Sequence, residues 1–130
     1  MALNEYYDQR SQKAADLVFP FGPADSQSID YAAAIELALE NTKTYVTIGQ
    51  LTGDVALTYA LANDFRVGSE LEVTATADAT PRVLNLGAGF QWNEATFTAG
   101  AVPVAANKTV KLFFDYDGAA FVLKSVVGID

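Results

Sequence analysis

Neither histidine nor cysteine occurs among the 130 residues, so the side chains that could do chemistry are carboxylates, tyrosine hydroxyls and the basic groups. The missing histidine removes the usual general base near neutral pH and every Ser-His-Asp or Cys-His arrangement. The missing cysteine removes thiolate metal ligands, iron-sulfur ligation and thiol nucleophiles. Paired carboxylates are what remains for catalysis, because an acid and a base held a few ångströms apart hydrolyse a glycoside without histidine. Glu70 and Glu72 stand two apart, on one face of an extended segment, and are the pair to consider. Alternation of acids with threonines is, however, what a solvated sheet face produces, and no second acidic cluster marks a cleft. No catalytic residue is assigned, and the chain is read as a protein that is not an enzyme.

Three further motifs have a structural explanation that outweighs the chemical one. Gly87-Ala88-Gly89 begins like a dinucleotide fingerprint, but Trp92 stands where the third glycine belongs and no helix is expected to follow. Asp115-Tyr116-Asp117-Gly118 resembles a fragment of a calcium loop without its later bidentate glutamate, and it falls where a hairpin calls for Asp-Gly. Asn107-Lys108-Thr109 matches a glycosylation triplet that has meaning only in a secretory pathway. Trp92 with Phe90, Phe97, Tyr59 and Phe113 could form a sugar-stacking platform, although buried aromatics also fill the core of a small sandwich. No cofactor and no metal are expected.

Composition limits the partners. At 13.9 kDa the chain makes one domain, or one domain with an arm. Sixteen acidic against eight basic residues leave a net charge of -8, which repels a phosphate backbone, so no nucleic acid is expected. No apolar run approaches the roughly 20 residues of a membrane-spanning helix, and Met1 to Asp8 lacks the basic-then-apolar pattern of a secretory signal. The expectation is a chain made in the cytosol that stays there unless it leaves by lysis inside a particle, without a membrane partner. Hydrophobic residues at 51% against charged ones at 18% point to some surface covered by partners.

The elements that must position these residues are mostly strands. Residues 1–27 read as an N-terminal arm, extended or partly helical, with residues 28–130 as the domain. In the arm, prolines on both sides of Phe21 enforce extended backbone, and Phe19 and Phe21 need a pocket, on the domain's own core edge or on a neighbouring subunit. From Ile29 the period is two: Ile29, Tyr31, Ala33, Ile35, Leu37 and Leu39 share one parity, but Ala32 to Glu40 is built of helix formers, so strand and helix compete there. Thr44 to Ile48 and Val55 to Leu61 read as strands separated by a turn at Thr52-Gly53-Asp54. Leu71 to Ala77 follows, closed by Pro81, then Val83 to Leu86, a bend at Gly87 and Gly89, and an extended piece at Thr96 to Thr98. Val102 to Ala106 reads as a loop. Lys108 to Tyr116 and Ala119 to Val127 are two strands joined by the strongest hairpin signal, Asp117-Gly118. About eight strands with turns every 8 to 12 residues describe an all-β chain, an antiparallel β-sandwich that is jelly-roll-like.

The order of three pieces carries a resemblance. Gln50-Leu51-Thr52-Gly53-Asp54-Val55, then Phe90-Gln91-Trp92-Asn93, then Lys111-Leu112-Phe113-Phe114-Asp115-Tyr116-Asp117-Gly118 resembles the β-domains of tailed-bacteriophage virion proteins: capsid decoration or auxiliary proteins, head fibres and tail-fibre modules. The resemblance covers a little over half of the chain and leaves the arm unmatched. It implies a homotrimer or other symmetric addition that decorates or stabilises the capsid, located in the virion, with the major capsid protein or another virion component as partner. In that picture Tyr6, Tyr7, Phe19 and Phe21 of the arm dock on the shell. The alternative is a fibre or surface module that binds host glycans through exposed aromatics around Trp92.

Overall fold

The computed structural model describes residues 24–63 and 65–129. Ten strands are present among them: β1 (Ala24–Ile29), β2 (Ala34–Leu39), β3 (Lys43–Ile48), β4 (Val55–Leu61), β5 (Glu70–Thr76), β6 (Arg82–Leu86), β7 (Phe90–Gln91), β8 (Ala101–Val104), β9 (Thr109–Tyr116) and β10 (Phe121–Ile129). A 3-10 turn at Thr98–Gly100 is the sole helical element of the described residues. The strands form a six-stranded sheet ordered β1-β3-β5-β9-β10-β7 and a four-stranded sheet ordered β2-β4-β6-β8. A single apolar cluster drawn from both sheets lies between them, so the all-β, sandwich-like architecture expected from periodicity is present.

The antiparallel expectation is corrected. Five of the eight pairings are parallel: β1 with β3, β3 with β5, β2 with β4, β4 with β6, and β7 with β10. Only β5–β9, β9–β10 and β6–β8 run antiparallel. A jelly roll has antiparallel neighbours throughout, and ten short strands replace the eight expected. The cause lies in where the chain goes after each turn. From β1 to β6, consecutive strands alternate between the two layers. A chain that crosses to the opposite layer and comes back re-enters its first sheet in its original direction, so neighbours within a sheet are parallel. An antiparallel hairpin needs consecutive strands side by side in one sheet, and β9–β10 is the one such pair here.

Alternation decides which side chains enter the core. In β2 the parity is strict, with Ile35, Leu37 and Leu39 buried and Ala34, Glu36 and Ala38 exposed. Three large inward side chains outweigh the helix propensity of Ala32 to Glu40, since full burial of each is worth about 1.5–3 kcal/mol and propensity differences are tenths of that. Cross-strand register aligns these positions into rows. Ile35, Leu57 and Leu86 lie side by side in the four-stranded sheet, and Val46, Val73 and Leu112 in the six-stranded one.

Two local assignments also change. Residues 101–104 form β8, where Val102 and Val104 are buried and Pro103 faces out. Pro103 is accommodated because β8 is an edge strand, where a missing N–H is tolerated. Thr96 to Thr98 is turn and 3-10 backbone instead of an extended piece, because Asn93 organises it: its Oδ1 accepts from the Ala95 N–H, and its carbonyl accepts from the N–H groups of Thr96 and Phe97. β1 begins at Ala24, so pairing with β3 starts within the segment expected to be arm. Tyr6, Tyr7, Phe19 and Phe21 lie outside the described residues.

Candidate functional site

The aromatic platform does not assemble. Phe90 is buried and meets Tyr59 edge-on at 5.0 Å between ring centroids. Tyr59 meets Phe121 in the same way and donates its hydroxyl proton to the Gly89 carbonyl at 2.6 Å. Burial pushes the Tyr59 hydroxyl pKa up. Trp92 is half-buried and packs on the core, and its indole N–H donates to Glu94 Oε2 at 2.6 Å. The other oxygen of Glu94 accepts the Ala99 N–H at 2.7 Å, and these two bonds, the backbone one first, hold the Glu94 carboxyl below its ordinary range. Thus Trp92 is clamped to its own loop. Phe113 is on the outer face of the six-stranded sheet, away from the others.

The glycine motif is structural. A Cβ on Gly87 would come within 2.9 Å of the Leu57 carbonyl oxygen, and Gly89 has φ +90 with the Tyr59 hydroxyl packed against it. Strand β7 follows, without the helix N-terminus that a pyrophosphate site uses. Asp117 closes the β9–β10 hairpin: its Oδ1 accepts the Ala119 and Ala120 N–H groups, each at 2.8 Å, and its pKa is lowered accordingly. Gly118 at φ +99 supplies the left-handed step. The hairpin is the expected one, with a loop of residues 117–120 rather than the tightest two-residue turn.

Glu70 and Glu72 do share one face of β5, and the fold adds to them residues the linear pattern did not group. Register places Lys43 beside Glu70 and Glu70 beside Asp115; the next outward row is Tyr45, Glu72 and Phe113. These six residues, from β3, β5 and β9, line a shallow cavity of about 190 Å³ on the outer face of the six-stranded sheet. The Lys43 ammonium lies 3.7 Å from Glu70 Oε2 and 5.4 Å from the Tyr45 ring centroid. Tyr45 first, then the charge of Glu70, raises its pKa. Among the described residues no group of three acidic side chains is arranged to hold a metal ion.

The outer face of the four-stranded sheet has a different character. Its outward positions are Ala34, Glu36 and Ala38 on β2, Ala56, Thr58 and Ala60 on β4, Val83 and Asn85 on β6, and Ala101 and Pro103 on β8. Glu36 is the one charged residue in that set, on a chain of net charge -8. Nothing local in the sequence shows that these positions form one surface. Comparison of the chain with models of known protein families and with curated proteins found no match to either.

Proposed function

We propose that the chain is a virion structural protein that acts by binding: it associates with copies of itself, as a trimer, and decorates or stabilises a capsid without catalysing a reaction. One observation supports this beyond the order of the sequence motifs. Strands β2, β4 and β6 form a parallel sheet whose outer face bears small, almost uncharged side chains. Parallel sheets are normally covered on both faces. In a chain carrying net charge -8, the least charged face is the one where copies meet with the least repulsion. Alanine and threonine also permit close approach of two backbones.

The test is the solution mass of the full-length chain by light scattering, with Ala60→Glu as the variant. Expected is three times 13.9 kDa for the parent chain and 13.9 kDa for the variant, with unchanged circular dichroism. A parent chain that is monomeric at high concentration, or a variant that still trimerises, would remove this face as the self-association surface. The arm is tested separately: chains lacking residues 1–23 should lose capsid occupancy, and full occupancy would show that Tyr6, Tyr7, Phe19 and Phe21 are not the anchor. The glycan-binding alternative through Trp92 is not adopted, because its N–H is held by Glu94 and its half-buried ring packs on the core. A glycan array that lights up with the parent chain and goes dark with Trp92→Phe would reverse that choice.

A further inference from the structure

We propose that the outer edge of β10, at Ser125 to Ile129, accepts an added strand: residues 15–19 of the N-terminal arm of a second copy of this chain. The inference rests on the reading of the chain as self-associating and names the segment that copies exchange; so short a strand adds to the contact between faces and does not replace it. Strand β7 covers β10 only at Phe121 and Val122. A bulge at Lys124 follows, and from Ser125 to Ile129 β10 pairs with β9 on one side and with no strand on the other among the described residues. Sheet edges are ordinarily guarded by proline, charge or shortness, because an unpaired strand invites another. The other edges have such guards: Pro103 in β8, Glu36 in β2, Asp25 in β1, and a length of two residues in β7. Ser125-Val126-Val127-Gly128-Ile129 has neither charge nor proline, and Val127 is one of the two large apolar side chains exposed among the described residues.

A second observation concerns the inner side of this edge. Gly128 stands in register with the buried Val110, yet a Cβ on it would meet no atom within 4 Å. The inner layer is open at this corner, which leaves room for the side chains of an added strand. Residues 1–23, which precede β1, supply the occupant. Leu17-Val18-Phe19 is their one run of three large strand-forming residues, and Pro20 ends it. With Leu17 and Phe19 turned to the open corner, Asp16 falls on the outer face, which it shares with Lys111, the register partner of Val127.

Reach decides whose arm it is. Ala24, where the arm joins β1, lies in one cross-strand row with Lys43, Glu70, Asp115 and Val122. Strands lie about 4.8 Å apart, so a strand added outside β10 is about 24 Å from Ala24. Phe19 precedes Ala24 by five residues, and that length of chain spans at most about 18 Å. Leu17-Val18-Phe19 therefore does not reach the β10 edge of its own copy, whereas a head-to-tail ring sets the β1 edge of one copy beside the β10 edge of the next. Phe19 then braces a neighbour, and Tyr6, Tyr7 and Phe21 are left for the shell.

The full-length chain has no cysteine, so introduced thiols report the contact directly. Isotope-labelled Val18→Cys is mixed with unlabelled Val127→Cys and oxidised with copper-phenanthroline, and the covalent dimers are sorted by mass. Asp16→Cys and Ser125→Cys, on the same faces, repeat the test should the register differ by two residues or Val127→Cys fail to fold. Expected are labelled–unlabelled dimers at least five-fold in excess of like-with-like ones, falling to random pairing when Val67→Cys, at the other exposed apolar residue, replaces Val127→Cys. Random pairing at every position in a chain that is trimeric by light scattering would overturn this proposal alone. An intrachain disulfide in the chain carrying both Val18→Cys and Val127→Cys would overturn it too, by showing the arm on its own copy. Excess mixed dimers alongside an Ala60→Glu chain that still trimerises would uphold the exchange and fault only the small-residue face.

Discussion

The adjacent phenylalanines of β9 allow a sharp test, because neighbouring residues of a strand point to opposite faces. Phe114 is 1% exposed and its ring centroid is 5.0 Å from that of Phe90; it pairs across the sheet with Leu71 on one side and Leu123 on the other. Phe114→Ala removes a ring from a closed layer that the surrounding side chains cannot collapse to fill, so the expected loss is about 3–5 kcal/mol. Phe113 is half-buried on the outer face, where water takes the place of the ring. About half of the 1.5–3 kcal/mol of a full burial is at stake for Phe113→Ala, roughly 1 kcal/mol. The two variants should thus differ by about 3 kcal/mol, a large share of the roughly 5–15 kcal/mol that holds a domain together. Urea unfolding followed by Trp92 fluorescence and circular dichroism gives the assay. With an m-value of about 1.5 kcal/mol/M, the midpoints of the two variants should lie about 2 M apart, at unchanged m. Equal midpoints, or a lower one for Phe113→Ala, would mean that β9 is shifted by one residue relative to the core and that every inward row built on it is misassigned.

Other expectations concern backbone and charge. Gly100 has φ +73, and a Cβ there would lie 2.9 Å from the Leu86 carbonyl oxygen and 3.0 Å from the Trp92 ring, so Gly100→Ala should cost about 2 kcal/mol or more by thermal melting. Gly128 has no atom within 4 Å of such a Cβ, and Gly128→Ala should be neutral or stabilise by about 0.5 kcal/mol; the same large loss at both sites would contradict the geometry. Asp78 accepts two bonds from Arg82, at 2.9 and 2.8 Å, and one from the Thr80 N–H, and its pKa is lowered from the ordinary 3.8. With the native pKa depressed, the unfolded chain takes up the proton first, so the contribution is complete above the ordinary value and is lost as pH falls through the native one. Melts of Asp78→Asn and the parent chain should differ at neutral pH and converge below pH 3.8, and a gap that persists in acid would show that the carboxylate charge is not what Arg82 recognises.

How far the linear pattern reaches can be judged from particular residues. The shared parity of Ile35, Leu37 and Leu39 marks the inward set of β2, and all three are buried. The Asp117-Gly118 turn is equally readable, because its geometry is set by residues next to each other in the chain. Val102 to Ala106 reads as a loop, yet residues 101–104 form β8; whether a strand tolerates Pro103 depends on its being central or at an edge, and that is a property of the sheet. The helix formers of β2 misdirect for a related reason: their intrinsic preference is small, and the contacts that override it come from β4 and the facing layer. As for the site, Glu70 and Glu72 were visible as a pair, but Lys43, Tyr45, Phe113 and Asp115 join them only through cross-strand register.

The chain by itself determined that these 130 residues offer no histidine or cysteine, that their net charge is -8, and that strands dominate. Each of these depends on composition or on neighbours two residues apart. Tertiary structure alone decided that the strands between Ala24 and Leu86 alternate between two layers, that most pairings are parallel, and that three carboxylates and two aromatic rings share one cavity. A turn signal says that the chain reverses but not whether it reverses beside itself or across the core. That choice is made by which distant apolar rows bury each other best, an energy that no local window contains.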